Sequence, residues 1–314
     1  MNRRIQADLS LVVCSIMWGA TFIIVKNALA DSSVFVFMAV RFTLAALLMI
    51  PLFRHALGKS NRRELRDGAI IGVSLFTGYM FQTWGLVTTT PSKCAFITGS
   101  SVAMVPILLM LFWGRRTGAA VWCGVVAAFA GLYLLTVPGG ASQTLVLGDF
   151  LVLIGAVGFA MQIIFASLYG ARHKGGAIAC LQISTVAACS IIVLPMVSFS
   201  GLQPARLHWS PAFAWGVGIT AVFTTAIAFS VQVWAQQFTT ATHAALIFAL
   251  EPVVTAVTSR IFQGERLGGR ALAGAALILV GILLAEIGPA AAQSKAAPDR
   301  WEEQSPEPLG GPPA

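Results

Sequence analysis

The stretch "QTWGLVTTTPSKCAFI" (82–97) can be laid without a gap over "QVWAQQFTTATHAALI" (232–247), and that overlay decides how the chain is built. At a shift of 150, Gln82 meets Gln232, Trp84 meets Trp234, Thr89 and Thr90 meet Thr239 and Thr240, and Ala95 meets Ala245. The same shift carries Phe112 onto Phe262, "GRRTG" onto "GERLG", Gly124 onto Gly274 and Gly131 onto Gly281. A similarity held at one fixed offset marks an internal duplication. Upstream the offset falls to about 141, where Asp8 meets Asp149 and Arg41 meets Gln182.

What is duplicated follows from composition. Of 314 residues, 57% are hydrophobic and only 10% charged, against about a quarter charged in soluble domains. Apolar runs long enough to cross a hydrocarbon core of about 30 Å as helices recur at 9–29, 34–53, 68–87, 94–113, 119–137, 148–168, 176–199, 212–234, 241–262 and 271–288. The expectation is an all-α integral membrane fold of ten transmembrane helices. The first repeat is 8–137 and the second 148–288. The Pro-, Ala- and Glu-rich segment 289–314 reads as a disordered tail. Five spans per repeat is an odd number, so the second copy crosses the membrane in the opposite sense. Inverted repeats of this kind are how many secondary transporters obtain two alternating conformations about a site near the midplane.

The net charge of +8 does not indicate nucleic acid, because Lys and Arg lie in the loops without a basic stripe interleaved with aromatics. With the N-terminus inside, thirteen loop cations fall on the inner side and six on the outer, which favours two cytoplasmic termini in an inner (plasma) membrane. The bias comes from the first half, since "QGERLGGR" in the second opposes it. The first span reads as a retained helix rather than a signal peptide. Cys14, Cys94, Cys123, Cys180 and Cys189 read as small buried side chains without CxxC spacing. His55, His173, His208 and His243 are scattered near loops, with neither metal spacing nor a paired acid apparent. No metal site, cofactor or ATP-binding phosphate loop is expected.

Two motifs then carry a resemblance. "CAFITGSSVAMVPILLMLFWGRR" followed by "GVVAAFAGLYLLT", and "TTATHAALIFALEPVVTAVTSRIFQGERLGGRALAGAALILVGILLAE", resemble the two repeat ends of EamA-type carriers of the drug/metabolite transporter superfamily, and "MWGATFIIVK" (17–26) resembles their opening helix. The resemblance covers about residues 8–288. It implies a ten-helix inner-membrane carrier of small metabolites, most often an exporter, driven by a gradient. This chain departs from the pattern at Phe159, where the family usually shows Trp, and in ending its first repeat "GRR" where the second has "GER".

Glu251 stands out in "LIFALEPVVTAV" (246–257). A carboxylate at a helix centre costs about 2.5–3.5 kcal/mol on insertion scales, so it needs a partner, a wet cavity or a proton. Arg41 is a candidate partner. Glu251 either binds a cationic group or exchanges protons, or it forms a structural ion pair or hydrogen bonds to backbone freed by Pro252. Gln82, Gln162, Gln182 and Gln232 are amides that lipid cannot satisfy and should face inwards. Gln162, nearest mid-helix, is the best direct ligand, whereas Gln82 and Gln232 fall near opposite membrane faces and equally suit interhelical packing. Trp18, Thr21, Thr98, Ser100 and Ser101 complete a candidate wall. Gly124 and Gly131, like Gly274 and Gly281, are seven apart on one helical face, where they allow close helix packing within the chain or at a homodimer surface. The leading reading is a proton-coupled exporter of amino acids or related small molecules. A non-transporting scaffold or sensor, and a membrane enzyme built on the basic loop "RHALGKSNRRELRD", are the alternatives.

Overall fold

A computed structural model describes residues 3–115, 117–136, 146–173, 176–263 and 268–287, so the expected tail at 289–314 lies outside the described residues. The described chain is helical, with one isolated antiparallel bridge between Ser32 and Leu207. In order the helices are α1 (Arg3–Ala28), α2 (Val34–Leu57), α3 (Arg62–Leu86), α4 (Pro91–Gly99), α5 (Ser101–Trp113), α6 (Ala119–Thr136), α7 (Leu147–Tyr169), α8 (Ala177–Phe199) and α9 (Pro211–Ile219). A π-helical segment, Thr220–Ile227, leads into α10 (Ala228–Ala235), followed by α11 (Ala241–Phe248), α12 (Leu250–Gln263) and α13 (Gly269–Ile287).

Seven helical stretches are long and apolar enough to cross a membrane: Arg3–Ala28, Val34–Leu57, Pro91–Trp113, Leu147–Tyr169, Ala177–Phe199, Pro211–Ala235 and Ala241–Phe262. Shorter apolar helices cover Ala119–Leu134 and Gly269–Leu284. The 25-residue α3 is long enough but opens on the charged run Arg62–Asp67, which lowers its apolar character. Many large apolar side chains, among them Leu52, Leu111, Phe112, Ile192 and Phe262, point outward, the arrangement expected where the outer solvent is lipid.

Two spans expected to be continuous are broken, and at matching places. The fourth is split between α4 and α5 at Ser100, and the ninth between α11 and α12 at Ala249. In the second repeat Pro252 lacks the N–H that would bond the Phe248 carbonyl, and its ring crowds that carbonyl. In the first repeat the Ser100 hydroxyl donates to the Ile97 carbonyl at 2.6 Å, competing with the helical ladder. The breaks meet, since a Cβ on Gly99 would come within 3.2 Å of the Pro252 ring. Both split helices start alike: Thr90 Oγ1 accepts from the Lys93 amide and Thr240 Oγ1 from the His243 amide, each at 3.2 Å.

The expected glycine faces pack on one another within the chain. A Cβ on Gly131 would lie 2.6 Å from the Gly274 carbonyl oxygen, and one on Gly281 would lie 2.6 Å from that of Gly124. These contacts make α6 and α13 antiparallel. Exchanging each glycine for its repeat mate turns one contact into the other, as a two-fold relation between the halves requires. The glycines thereby pack these two helices together within the chain.

The first helix of each repeat is exchanged. α1 packs mainly against α9 to α12 of the second repeat, and α7 against α3, α4 and α5 of the first. Glycines permit this closeness too: a Cβ on Gly19 of α1 would meet Val254 of α12, and one on Gly155 of α7 would meet the Gly78 backbone of α3. An acid–base pair clips each exchanged helix to its host. Asp149 of α7 holds Lys93 at 2.5 Å and the Thr89 hydroxyl at 2.8 Å, while Asp8 of α1 lies 3.5 Å from His243. By the repeat offsets these are the same site, with lysine in one copy and histidine in the other. The result is two bodies, α1 with α9–α12 and α7 with α3–α5.

Three of the four histidines, His243 among them, therefore do have acid partners. His173 Nε2 stands 3.0 Å from the fully buried carboxylate of Asp67, and His208 lies 3.7 Å from Asp31. Folding joins residues more than 100 apart in sequence, a pairing that local spacing conceals. Cys123 is exposed and Cys189 half-exposed, whereas Cys14, Cys94 and Cys180 are buried as expected.

Candidate functional site: a cavity between the two bodies

Between the bodies lies a cavity of about 780 Å³, counting the space at its mouth. Its walls obey the duplication. Trp18 and Phe159, Thr21 and Gln162, and Phe22 and Ile163 line it as pairs at the 141 offset. Tyr79 and Phe229, Gln82 and Gln232, Thr98 and Phe248, and Ser101 and Glu251 do so at the 150 offset. All eight residues expected to form the site (Glu251, Gln162, Arg41, Gln82, Gln232, Trp18, Thr98 and Ser101) reach this one cavity. Ser100 does not line it; its hydroxyl is spent on the helix break.

Glu251 follows the break in the ninth span by one residue beyond Leu250, so it lies in the first turn of α12, where free backbone N–H groups favour a negative charge. Its carboxylate has no hydrogen-bond or ion-pair partner among the described residues, and it opens on the cavity. The direct pair with Arg41 suggested by the sequence is not formed. Arg41, 4% exposed, directs Nε to the Thr225 hydroxyl at 3.0 Å and Nη2 to the Thr224 hydroxyl at 3.2 Å and the Tyr79 hydroxyl at 3.4 Å. Its guanidinium lies 4.7 Å from the Tyr79 ring centroid and 4.9 Å from that of Phe42, within the range of cation–π attraction.

The π-helical segment presents this threonine pair. A π turn packs more residues per turn than an α turn, bringing neighbouring side chains closer in angle, and such turns recur at functional sites. The same segment offers the Thr224 carbonyl to the Trp18 indole at 2.8 Å. Trp18 in turn sits 5.2 Å from both Phe229 and Phe248, and Tyr79 sits 5.1 Å from Phe159. The aromatic rings thus form a connected wall.

On the other side the amides form a chain. Gln162 and Gln232 exchange hydrogen bonds of 3.2 and 3.4 Å, and Gln162 also donates to Gln182 at 3.2 Å. Gln82 donates to the Thr98 hydroxyl at 2.9 Å. Gln182, fully buried, keeps an amide nitrogen without a partner. The matched pair Gln82 and Gln232 thus does both things weighed for it: each bonds a neighbouring helix and each faces the cavity.

Sequence reasoning missed Tyr79, Thr224 and Thr225. The signals were present: Tyr79 pairs with Phe229 at the repeat offset, and two adjacent threonines interrupt an apolar run. Among the described residues no group of three or more His, Cys, Asp or Glu side chains is placed to hold a metal ion.

Residues 5–137 and 146–286 each match the family model described as the EamA-like transporter family. An uncharacterized transporter of Archaeoglobus fulgidus is 31% identical over 91% of this chain and 87% of its own. The threonine/homoserine exporter RhtA of Escherichia coli strain K12 is 30% identical over 73% of this chain and 74% of its own. A solved crystal structure superposes with a TM-score of 0.71 over 93% of this chain and 99% of that one at 15% identity, which is a likeness of fold. With both halves matched across nearly the whole described chain and apolar helices throughout, this multi-pass membrane protein belongs to the EamA-like transporter family.

Proposed function

We propose that the protein is a secondary carrier that exports small amino-acid-like metabolites across an inner membrane, by alternating exposure of the cavity between its two bodies. The observation that carries this reading is the unpaired Glu251 carboxylate in a cavity whose opposite wall holds Arg41. Two opposite charges kept apart in one aromatic-lined space suit a molecule that bears both, with its ammonium towards Glu251 and its carboxylate towards the Arg41 side. The amides and hydroxyls between them suit its polar backbone. The exporter name of a 30% identical relative supports the direction and the amino-acid class.

In this reading the repeats are 8–137 and 148–288, each contributing five membrane crossings, ten in all. α3 supplies the third crossing, and α6 and α13 supply the fifth and tenth. The second repeat is inverted, a relation supported by the antiparallel α6–α13 contact, and both termini are cytoplasmic. Glu251 also serves as the coupling group, accepting a proton when the cationic end of the cargo leaves, so that the gradient drives the cycle. The test is a mass-spectrometric comparison of culture medium from cells overproducing the wild type, E251Q, or neither. A compound enriched only with the wild type identifies the cargo class and gives Glu251 its role. Equal enrichment with both proteins keeps the exporter and reduces Glu251 to a structural group; no enrichment in any sample sinks the export reading.

A further inference from the structure

The two ends of the cavity are each crossed by one polar strap between the bodies, and the straps differ in chemistry. At one end the cavity wall runs through Val25 of α1 and Leu86 at the end of α3. Lys26, the next residue on α1, hangs its ammonium on the carbonyl oxygens of Leu86, Val87 (2.9 Å) and Thr89 (3.0 Å). The first two lie at the C-terminus of α3, where a cation is favoured, and the third in the turn that leads to α4. At the other end Gln236, just past α10, donates to the Ile163 carbonyl and the Ser167 hydroxyl of α7, both at 3.1 Å. Ile163 lines the cavity there. Gln236 is the repeat mate of Leu86, and Ser167 is that of Lys26.

Each strap joins a different pair of helices but the same pair of bodies. Lys26 reaches from the α1 body to the α3–α4 turn, and Gln236 reaches from the α10 side of the same body to α7. We infer that Lys26 and Gln236 are the closing contacts of the two ends of the cavity, one ionic and one neutral. Both are made in this structure, and each end opens only when its own strap is released. The Gln236 strap is the weaker, because its amide oxygen stays buried without a partner, whereas the Lys26 ammonium meets three acceptors. The inference rests on the alternating-exposure reading above and assigns positioning residues to it.

The test uses the full chain in lipid nanodiscs with its five native cysteines replaced by alanine and one reporter added. T83C reports on the Lys26 end and I163C on the Gln236 end, each read as its rate of labelling, without cargo, by a membrane-impermeant maleimide too bulky to pass along the cavity from one end to the other. K26M should raise T83C labelling at least fivefold and leave I163C within twofold, while Q236L should do the reverse. K26R, which keeps a charged donor, should hold T83C near the parent rate. The proposal is overturned if K26M moves T83C by less than twofold, if both reporters rise together, or if K26R labels as fast as K26M. A strap response in a protein that exports nothing would defeat the carrier reading alone; normal export with unmoved labelling would defeat the straps alone.

Discussion

The two halves bring matching positions to the cavity but unequal chemistry. Where the second repeat offers Glu251 the first offers Ser101, and where the second offers Phe248 the first offers Thr98; Arg41 lines the cavity, whereas its mate Gln182 is buried behind Gln162. The backbone devices around them are retained in both: the broken helix, the threonine cap, the acid clipping the exchanged first helix, and the glycine contact of α6 with α13. The difference teaches that a two-fold scaffold can be held constant while a few side chains make its cavity polar in one direction. A strictly symmetric cavity would carry like groups at matching positions; this one carries an acid in one repeat and a base in the other.

The largest effect should come from removing the asymmetry at the acid. E251Q is expected to cut export at least tenfold, about the 1.4 kcal/mol or more of one charged contact, and S101E placed in that background should recover part of it. Export measured by cargo release settles both, and an E251Q variant retaining most of its rate breaks the comparison. Making the second polar position match its mate, R41Q, should weaken cargo binding by roughly tenfold for the same reason. Titration calorimetry with the cargo that the medium comparison identifies would expose an unchanged affinity, and with it an Arg41 that is purely structural.

Packing gives the next rung. G131L and G281L strike the two symmetry-related contacts of α6 with α13, so each should lose about 1–3 kcal/mol through forced separation of these helices. G218A, where a new Cβ meets nothing within 4 Å, should leave the melting temperature in place. Unequal melting shifts for the two leucine variants would mean that the halves are less alike at this contact than their backbones suggest. Smallest of all, T224V with T225V should raise KM by a few-fold with little change in the maximal rate: the two hydroxyls accept from the Arg41 guanidinium, which keeps Tyr79 and its two ring contacts when they are lost. A fall in rate at constant KM would show that these threonines act on the conformational change rather than on Arg41.

Much of this molecule was legible before folding was considered. Apolar runs announce membrane helices because lipid leaves the backbone no other way to pair its polar groups, and a gap-free offset of 150 announces the duplication. The eight candidate side chains were found by one criterion, polarity inside an apolar run, and that criterion works because such groups are too costly to face lipid. It failed for Tyr79, whose ring disguises its polar end, and for Thr224 and Thr225, which resemble ordinary helix residues bonded to their own backbone. For Gln82 and Gln232 it left lining and packing open, because position along a helix measures depth in the membrane, not which side of the helix meets a cavity.

The sequence by itself determined the class of fold, the repeat and the inventory of buried polar groups, all of which depend on local composition and on spacing along the chain. Only the tertiary structure decided the partners. It turned Arg41 from Glu251 to the threonines of a π-helical segment, gave His173 and His243 their carboxylates, exchanged α1 and α7 between the halves, and hung Lys26 on the end of α3. The physical reason is that a buried polar group must be satisfied by whatever lies within about 3 Å of it. Across an assembled bundle those neighbours come from segments as far as 236 residues away, at separations no local pattern encodes.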